Sequence, residues 1–253
     1  MGDFRTGEAA WVARLGNLRN TIRQEVIRRQ LAGHVRPPMT VLDVGSGQGT
    51  QALELAAAGC TVTGVEPSAA LRDRCRADAR DRGLDLELVD GTLDRLDALL
   101  DGRRFDLACA HGLFMYLDDR AAAVATIARR VEPGGLLSIT VRNGHALALR
   151  PALRGDWTAA LAAFDGDRYT NEIGVQARAD RLDDVMNELA ACGCEVVAWY
   201  GVRVLNDAVG SDVPPPAGDE LVALLDAEDL AGRRDPYRIL GSQLHVVARR
   251  THP

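Results

Sequence analysis

Two hydrophobic periodicities alternate along the chain. Short apolar runs occur at 41–44, 60–65, 86–89, 105–110 and 136–141, each the length of a buried strand. Between them, apolar residues recur at spacings of three and four, which predicts helices over 50–58, 68–82, 118–131 and 180–192. Pro67-Ser68 supplies a turn and an N-cap for the second of these helices. Glu132-Pro133-Gly134-Gly135 is a turn into the fifth strand. A further helix is predicted over 8–35, where Trp11, Leu15, Leu18, Ile22, Val26, Ile27 and Leu31 form one face and Arg14, Arg19, Arg23, Arg28 and Arg29 the other. Residues 195–205 and 243–249 read as a closing pair of strands, with a helix over 219–231 in the connection between them. Strands alternating with helices imply a parallel sheet with right-handed crossovers, here closed by an antiparallel last strand.

One junction carries chemistry. The first strand runs into Val41-Leu42-Asp43-Val44-Gly45-Ser46-Gly47-Gln48-Gly49 and a helix starts at once. Strand, glycine turn and helix N-terminus make the frame of a nucleotide-binding βαβ unit, where glycine lets the backbone turn sharply beside a ligand. The spacing is G-x-G-x-G and not the dinucleotide G-x-G-x-x-G. No lysine follows, so a P-loop is excluded. The second strand ends in Glu66, placed to accept ribose hydroxyls. His111 stands at the end of the fourth strand, where ligands bind in open α/β sheets.

These motifs, in this order, resemble the class I S-adenosylmethionine-dependent methyltransferases. The resemblance implies an α/β fold with a Rossmann-like, doubly wound, seven-stranded and mostly parallel sheet, its last strand antiparallel. The 253 residues suit a single domain spanning 1–253, with the N-terminal helical segment at 8–35 and small insertions near 142–178 and 206–235. S-adenosyl-L-methionine is the implied cofactor. Asp43, Gly45, Ser46 and Gly47 belong to the implied cofactor loop.

Composition narrows the setting. The net charge is −6, a field that does not attract nucleic acid as a whole. All 30 basic residues are arginines, and several cluster, so a local anion-binding patch remains open. The five cysteines, Cys60, Cys75, Cys109, Cys192 and Cys194, show no C-x-x-C spacing, so neither disulfides nor a metal site are expected. No apolar run approaches the ~20 residues of a membrane span, and the start of the sequence has no apolar leader. The expectation is a cytoplasmic enzyme without membrane or metal partners.

The C-terminal half carries a second resemblance. Arg142-Asn143-Gly144-His145 follows strand five, Gly155-Asp156-Trp157 closes a short segment, Gly201-Val202-Arg203-Val204-Leu205-Asn206-Asp207 lies in strand six, and 235–246 reads Asp-Pro-Tyr-Arg-Ile-Leu-Gly-Ser-Gln-Leu-His-Val. This resembles the bacterial tRNA 5-carboxymethoxyuridine methyltransferase family over about residues 11–250. By that resemblance Arg23 meets the methionine carboxylate, Gly45 and Ser46 form the turn, Glu66 meets the ribose, Thr92 and Leu93 lie by the adenine, with Asp90 either a further adenine-side carboxylate or an ordinary loop carboxylate, and His111 sits below the methyl donor. The implied reaction esterifies the carboxylate of a modified wobble uridine. A carboxylate is ionised at neutral pH, so no general base is required and no catalytic residue is singled out. Arg142, Arg150, Arg154 and Arg203 are the candidates to orient it, with Asn143, His145 and Trp157 as further substrate candidates. Three features depart from the family pattern: Arg142 replaces an aromatic, 164–169 lacks a basic run, and Leu205 replaces another aromatic. All weaken the case for tRNA and leave the cofactor loop intact.

Two acceptor classes stay open. A tRNA substrate predicts an arginine-rich surface beside the cofactor mouth. A small-molecule acceptor, a metabolite or natural product, predicts that 142–175 form a lid and that Phe114, Met115, Tyr116 and Trp157 line an apolar pocket. A third possibility, a binding module that kept the fold without the chemistry, is disfavoured by the intact Asp43, Gly45, Gly47 and Glu66.

Overall fold

The computed structural model describes residues 16–171, 173–210 and 213–251. Trp11, Arg14 and Leu15 of the predicted first helix lie outside the described residues.

The first described helix, α1, spans Leu18–Ala32, with the Asn17 side chain accepting from the Asn20 amide at its N-terminus. Its apolar face packs Leu18, Ile22, Val26 and Ile27 against Leu225 of a late helix and Val202 of the sheet. The sheet begins with β1 (Thr40–Val44), followed by α2 (Thr50–Ala57), β2 (Thr61–Val65), α3 (Ala69–Asp81) and β3 (Glu87–Val89). After the short α4 (Leu96–Leu99) come β4 (Phe105–His111), α5 (Arg120–Ala128) and β5 (Val131–Arg142). The Pro133-Gly134-Gly135 turn lies within β5 as a break in register: Phe105 pairs with Val131, but Leu107 pairs with Leu136. Then follow α6 (Leu149–Leu153), α7 (Trp157–Ala162), a ribbon of β6 (Arg168–Thr170) and β7 (Gln176–Arg178), α8 (Leu182–Ala191), β8 (Cys194–Val202), α9 (Gly218–Arg233) and β9 (Gln243–Arg250).

The seven strands of the main sheet lie in the order β3-β2-β1-β4-β5-β9-β8. β1 to β5 pair in parallel, and β9 is antiparallel to both β5 and β8. Side chains of the central strands alternate between two apolar layers. Leu42, Val44, Ala108 and Ala110 face one layer, which also holds Val124 and Ile127 of α5 and Leu189 of α8. Val41, Leu107 and Cys109 face the other, with Leu31 of α1 and Leu55 of α2. A strand covered on both faces needs apolar residues at consecutive positions, which is why these runs carry no polar alternation. Fully buried leucines such as Leu42, Leu107 and Leu137 each contribute about 2 kcal/mol of burial.

The sixth main-sheet strand is shorter than the predicted 195–205. β8 stops at Val202 because Arg203 adopts a left-handed backbone, with φ of 55°, a conformation a strand cannot continue through. Leu205, expected within that strand, is exposed. Among the described residues, no helix is long and apolar enough to cross a membrane.

Candidate active site

The topology reverses between β1 and β4, and the loops leaving their C-terminal ends meet there. Gly45, Gly47 and Gly49 all have positive φ, at 69°, 58° and 84°. A Cβ on Gly45 would lie 3.7 Å from Leu113 in the loop after β4, so the two loops form one wall. The Glu66 carboxylate ties the second strand to this turn: Oε2 accepts from the Gly47 amide at 2.9 Å and Oε1 from the Ser68 amide at 2.8 Å.

A cavity of about 270 Å³ opens over these loops. Of the sequence-selected cofactor residues, Arg23, Gly45, Gly47, Glu66 and His111 line it. The Nε of Arg23 is buried without a partner among the described residues, and burial lowers the pKa of the guanidinium. A buried cation of this kind calls for an anionic ligand such as a carboxylate. His111 is pushed down to a pKa of about 3 by burial and by the charge of Arg23, so the imidazole is neutral. A neutral ring does not repel a sulfonium. The chemistry of these donors fits S-adenosylmethionine: a cation for its carboxylate, a carboxylate for its ribose, and a glycine turn for close approach.

Five residues expected near the cofactor lie off the cavity wall. Asp43 is buried at the end of β1, its pKa raised to about 7 by burial and the nearby Glu66 charge. Ser46 is buried beside Gly64. Thr92 precedes a 3₁₀ turn at Leu93–Arg95, and Leu93 packs against the core. Asp90 is paired with Arg72 at 3.0 Å.

The other end of the cavity is cationic. Arg19, Arg142, Arg150 and Arg203 line it, and all four converge on Asp207. The N–O distances to the Asp207 carboxylate are 3.1 Å from Arg19, 2.8 Å from Arg150, 3.3 Å from Arg203 and 3.7 Å from Arg142. Burial alone would raise the Asp207 pKa, but the charges of Arg203, Arg150 and Arg142 hold it far below the ordinary carboxylate range. The four guanidinium groups share this carboxylate. Burial lowers the Arg203 pKa to about 9, and that of Arg142 falls for the same reason. The result is a concentrated positive site inside a protein of net charge −6.

Local structure aims these arginines. The left-handed turn at Arg203 is held by its Nε donating to Ser242 Oγ at 3.0 Å and by the Ser242 amide donating to its carbonyl. The next turn is clasped by Glu228 of α9, whose carboxylate accepts from the Val204 and Leu205 amides at 2.8 and 3.1 Å. The β6–β7 ribbon covers the site. Tyr169, Asn171 and Ile173 line the cavity, Asn171 donates to the Tyr116 hydroxyl at 3.1 Å, and the Arg142 guanidinium lies 5.4 Å over the Tyr169 ring.

The remaining substrate candidates are placed elsewhere. Asn143 is fully buried and donates to the Ile239 and Gly241 carbonyls, a structural brace. His145 is exposed. Arg154 donates to the Ala208 and Val209 carbonyls at the surface. Trp157 is 68% exposed and Phe114 is fully buried, so only Met115 and Tyr116 of the four expected pocket residues line the cavity. Arg19, Asp207, Tyr169 and Asn171 carried no assigned role in the sequence. Asp207 lay within the quoted 201–207 segment, which was the available signal.

Comparisons with known proteins point to methyltransferases. Residues 42–139 match the methyltransferase domain family. The chain is 26% identical over 237 residues to the tRNA 5-carboxymethoxyuridine methyltransferase of Escherichia coli K12, covering 93% of this chain and 89% of that protein. It is 28% identical to a ubiquinone biosynthesis O-methyltransferase of Agrobacterium fabrum, covering 81% and 80% of the two chains. Among solved structures, magnesium protoporphyrin IX methyltransferase of Synechocystis with bound S-adenosylhomocysteine shares the fold with a TM-score of 0.65 at 15% identity, covering 97% of this chain and 95% of that one.

Proposed function

We propose that this chain, an S-adenosylmethionine-dependent methyltransferase, esterifies a carboxylate held by its arginine cluster, and that the acceptor is 5-carboxymethoxyuridine at the wobble position of a tRNA. The observation that carries the reading is that Arg142, Arg150 and Arg203, which line the cavity that also holds the cofactor loop, converge on a single carboxylate, Asp207. Whole-chain similarity to a tRNA 5-carboxymethoxyuridine methyltransferase supports the same acceptor.

The cofactor supplies a methyl group on an electrophilic sulfonium. The protein's part is binding, orientation and exclusion of water. Arg23 takes the methionine carboxylate and Glu66 the ribose. The acceptor carboxylate is drawn to Arg150, Arg203 and Arg142, whose planar forks fix the direction of its oxygens. It arrives ionised and leaves as an ester, so no proton need be removed. Tyr169 and Ile173 on the ribbon keep bulk water from the reacting pair. The base of the nucleotide would reach the arginines past this ribbon.

The ubiquinone biosynthesis relatives and the apolar contribution of Met115, Tyr116 and Ile173 favour a second reading, an anionic small molecule as acceptor. Mass spectrometry of nucleosides separates the two. tRNA bearing 5-carboxymethoxyuridine, incubated with the protein and S-adenosylmethionine, is expected to gain 14 Da (about one methylene) on that nucleoside, lost again on mild alkaline hydrolysis. No gain with cofactor binding intact rejects the tRNA acceptor and leaves the small molecule.

A further inference from the structure

A line of hydrogen bonds crosses three strands and ends at the cavity wall. Gln30 of α1 donates through Nε2 to the Gly201 carbonyl at 3.0 Å. Its Oε1 meets His245 Nδ1 of β9 at 2.9 Å. His245 Nε2 meets Ser138 Oγ of β5 at 2.8 Å, and Ser138 Oγ meets His111 Nε2 of β4 at 2.8 Å. Gln30, Ser138 and His245 are all fully buried.

The direction of every proton in this line follows from its far end. A carbonyl only accepts, so the Gln30 atom facing Gly201 is the amide nitrogen, and Gln30 Oε1 must then accept from Nδ1–H of His245. His245 is neutral, since burial and the nearby His111 hold its pKa well below the usual histidine value. Its Nε2 is therefore a lone pair and takes the single Ser138 proton. Ser138 Oγ is left to accept from Nε2–H of His111. The last atom, Nδ1 of His111, is a buried acceptor with no partner among the described residues, on a residue that lines the cavity.

A buried acceptor left unpaired costs about 1–3 kcal/mol, and a line that served only to tie strands would not end in one. Beside it stands Arg23: a Cβ on Gly112, the next residue after His111, would lie 3.5 Å from Arg23 Nη1. A guanidinium next to an imidazole lone pair is complementary to a carboxylate next to an ammonium, the two charged groups of an α-amino acid. We propose that Gln30, His245 and Ser138 are positioning residues that lock His111 as its Nε2–H tautomer, so that Nδ1 accepts from the α-ammonium at the cofactor's methionyl end while Arg23 holds the carboxylate. This goes beyond the acceptor reading and does not depend on it.

Long-range ¹H–¹⁵N spectra of histidine report the tautomer directly. The wild-type protein is expected to show His111, assigned by its loss in His111→Gln, as the neutral Nε2–H form, with Nδ1 shifting upfield when S-adenosylhomocysteine binds. An Nδ1–H form or a charged ring at neutral pH overturns the proposal without any variant. Ser138→Ala is expected to mix the two tautomers and to weaken S-adenosylhomocysteine about tenfold by calorimetry. Against the analogue lacking the α-amino group, wild type and Ser138→Ala are expected to bind alike, because the partner of Nδ1 is gone. Equal losses for both ligands would assign Ser138 a packing role only and also overturn it. Failure of the carboxylate acceptor would leave these readings unmoved, since no acceptor is present.

Discussion

The two ends of the cavity are built in opposite ways. The cofactor end is local: the glycine turn, Glu66 and His111 sit at the ends of neighbouring strands. The acceptor end is assembled from far apart. Arg19 comes from α1, Arg142 from the end of β5, Arg150 from α6, Arg203 from the turn after β8 and Asp207 from the loop beyond. The first end is held by backbone geometry, the second by mutual charge. A ligand pocket can thus keep one half fixed by fold while the other changes by substitution at scattered positions.

The comparison breaks most severely at the turn. Gly49→Ala places a Cβ into the Cys75 sulfur at a φ of 84°, and is expected to cost about 3 kcal/mol of stability, measured by denaturant unfolding; a near-neutral result would show that the turn relaxes. Next, Asp207→Asn leaves four arginines facing one another and is expected to cost about 3 kcal/mol at neutral pH. Because the Asp207 pKa is depressed in the folded protein, its stabilisation is complete above about pH 4 and is lost as pH falls below that. The variant should show a flatter acid limb than wild type between pH 4 and 2, and parallel curves would remove Asp207 as the counter-charge.

Function should divide between the ends. Arg150→Met is expected to raise KM for a carboxylate acceptor by a factor corresponding to about 2 kcal/mol, with S-adenosylhomocysteine affinity unchanged by calorimetry. Glu66→Ala should do the reverse, weakening the cofactor by a similar amount. Equal effects of either variant on both ligands would dissolve the division. Smallest of all, Trp157→Ala at a 68% exposed position should change stability by less than about 0.5 kcal/mol and leave KM alone. A raised KM there would extend the acceptor surface out onto α7.

Legibility in sequence follows the same line. The strands could be read because burial on both faces forces contiguous apolar runs, and Gly45, Gly47 and Glu66 because the turn chemistry sits in one short stretch. Thr92 and Leu93 were read as adenine contacts; Thr92 stands before the 3₁₀ turn and Leu93 packs against the core. Trp157 was read as a pocket residue from its aromatic character, yet α7 turns it to solvent. Arg203 was named without any sign that a left-handed residue would end the strand there. Nothing local distinguishes Arg19 or Tyr169 from surface residues, and Asp207 is marked only by its 201–207 segment, since their meaning arises when distant segments close on one another. The same holds for Ser138 and His245, whose neighbours in space are 27 and 215 positions away in sequence.

The arginine cluster has a consequence for turnover. In the proposed reaction a carboxylate brings a negative charge into the site, and its methyl ester carries none. The attraction that recruits the acceptor is therefore cancelled by the reaction itself, so residence time should shorten as the bond forms, without any moving part. Asp207 remains beneath, paired with the same guanidinium groups, and limits the electrostatic cost of an empty cradle between cycles. An enzyme arranged this way is resistant to inhibition by its own ester and remains open to competition from unmethylated carboxylates.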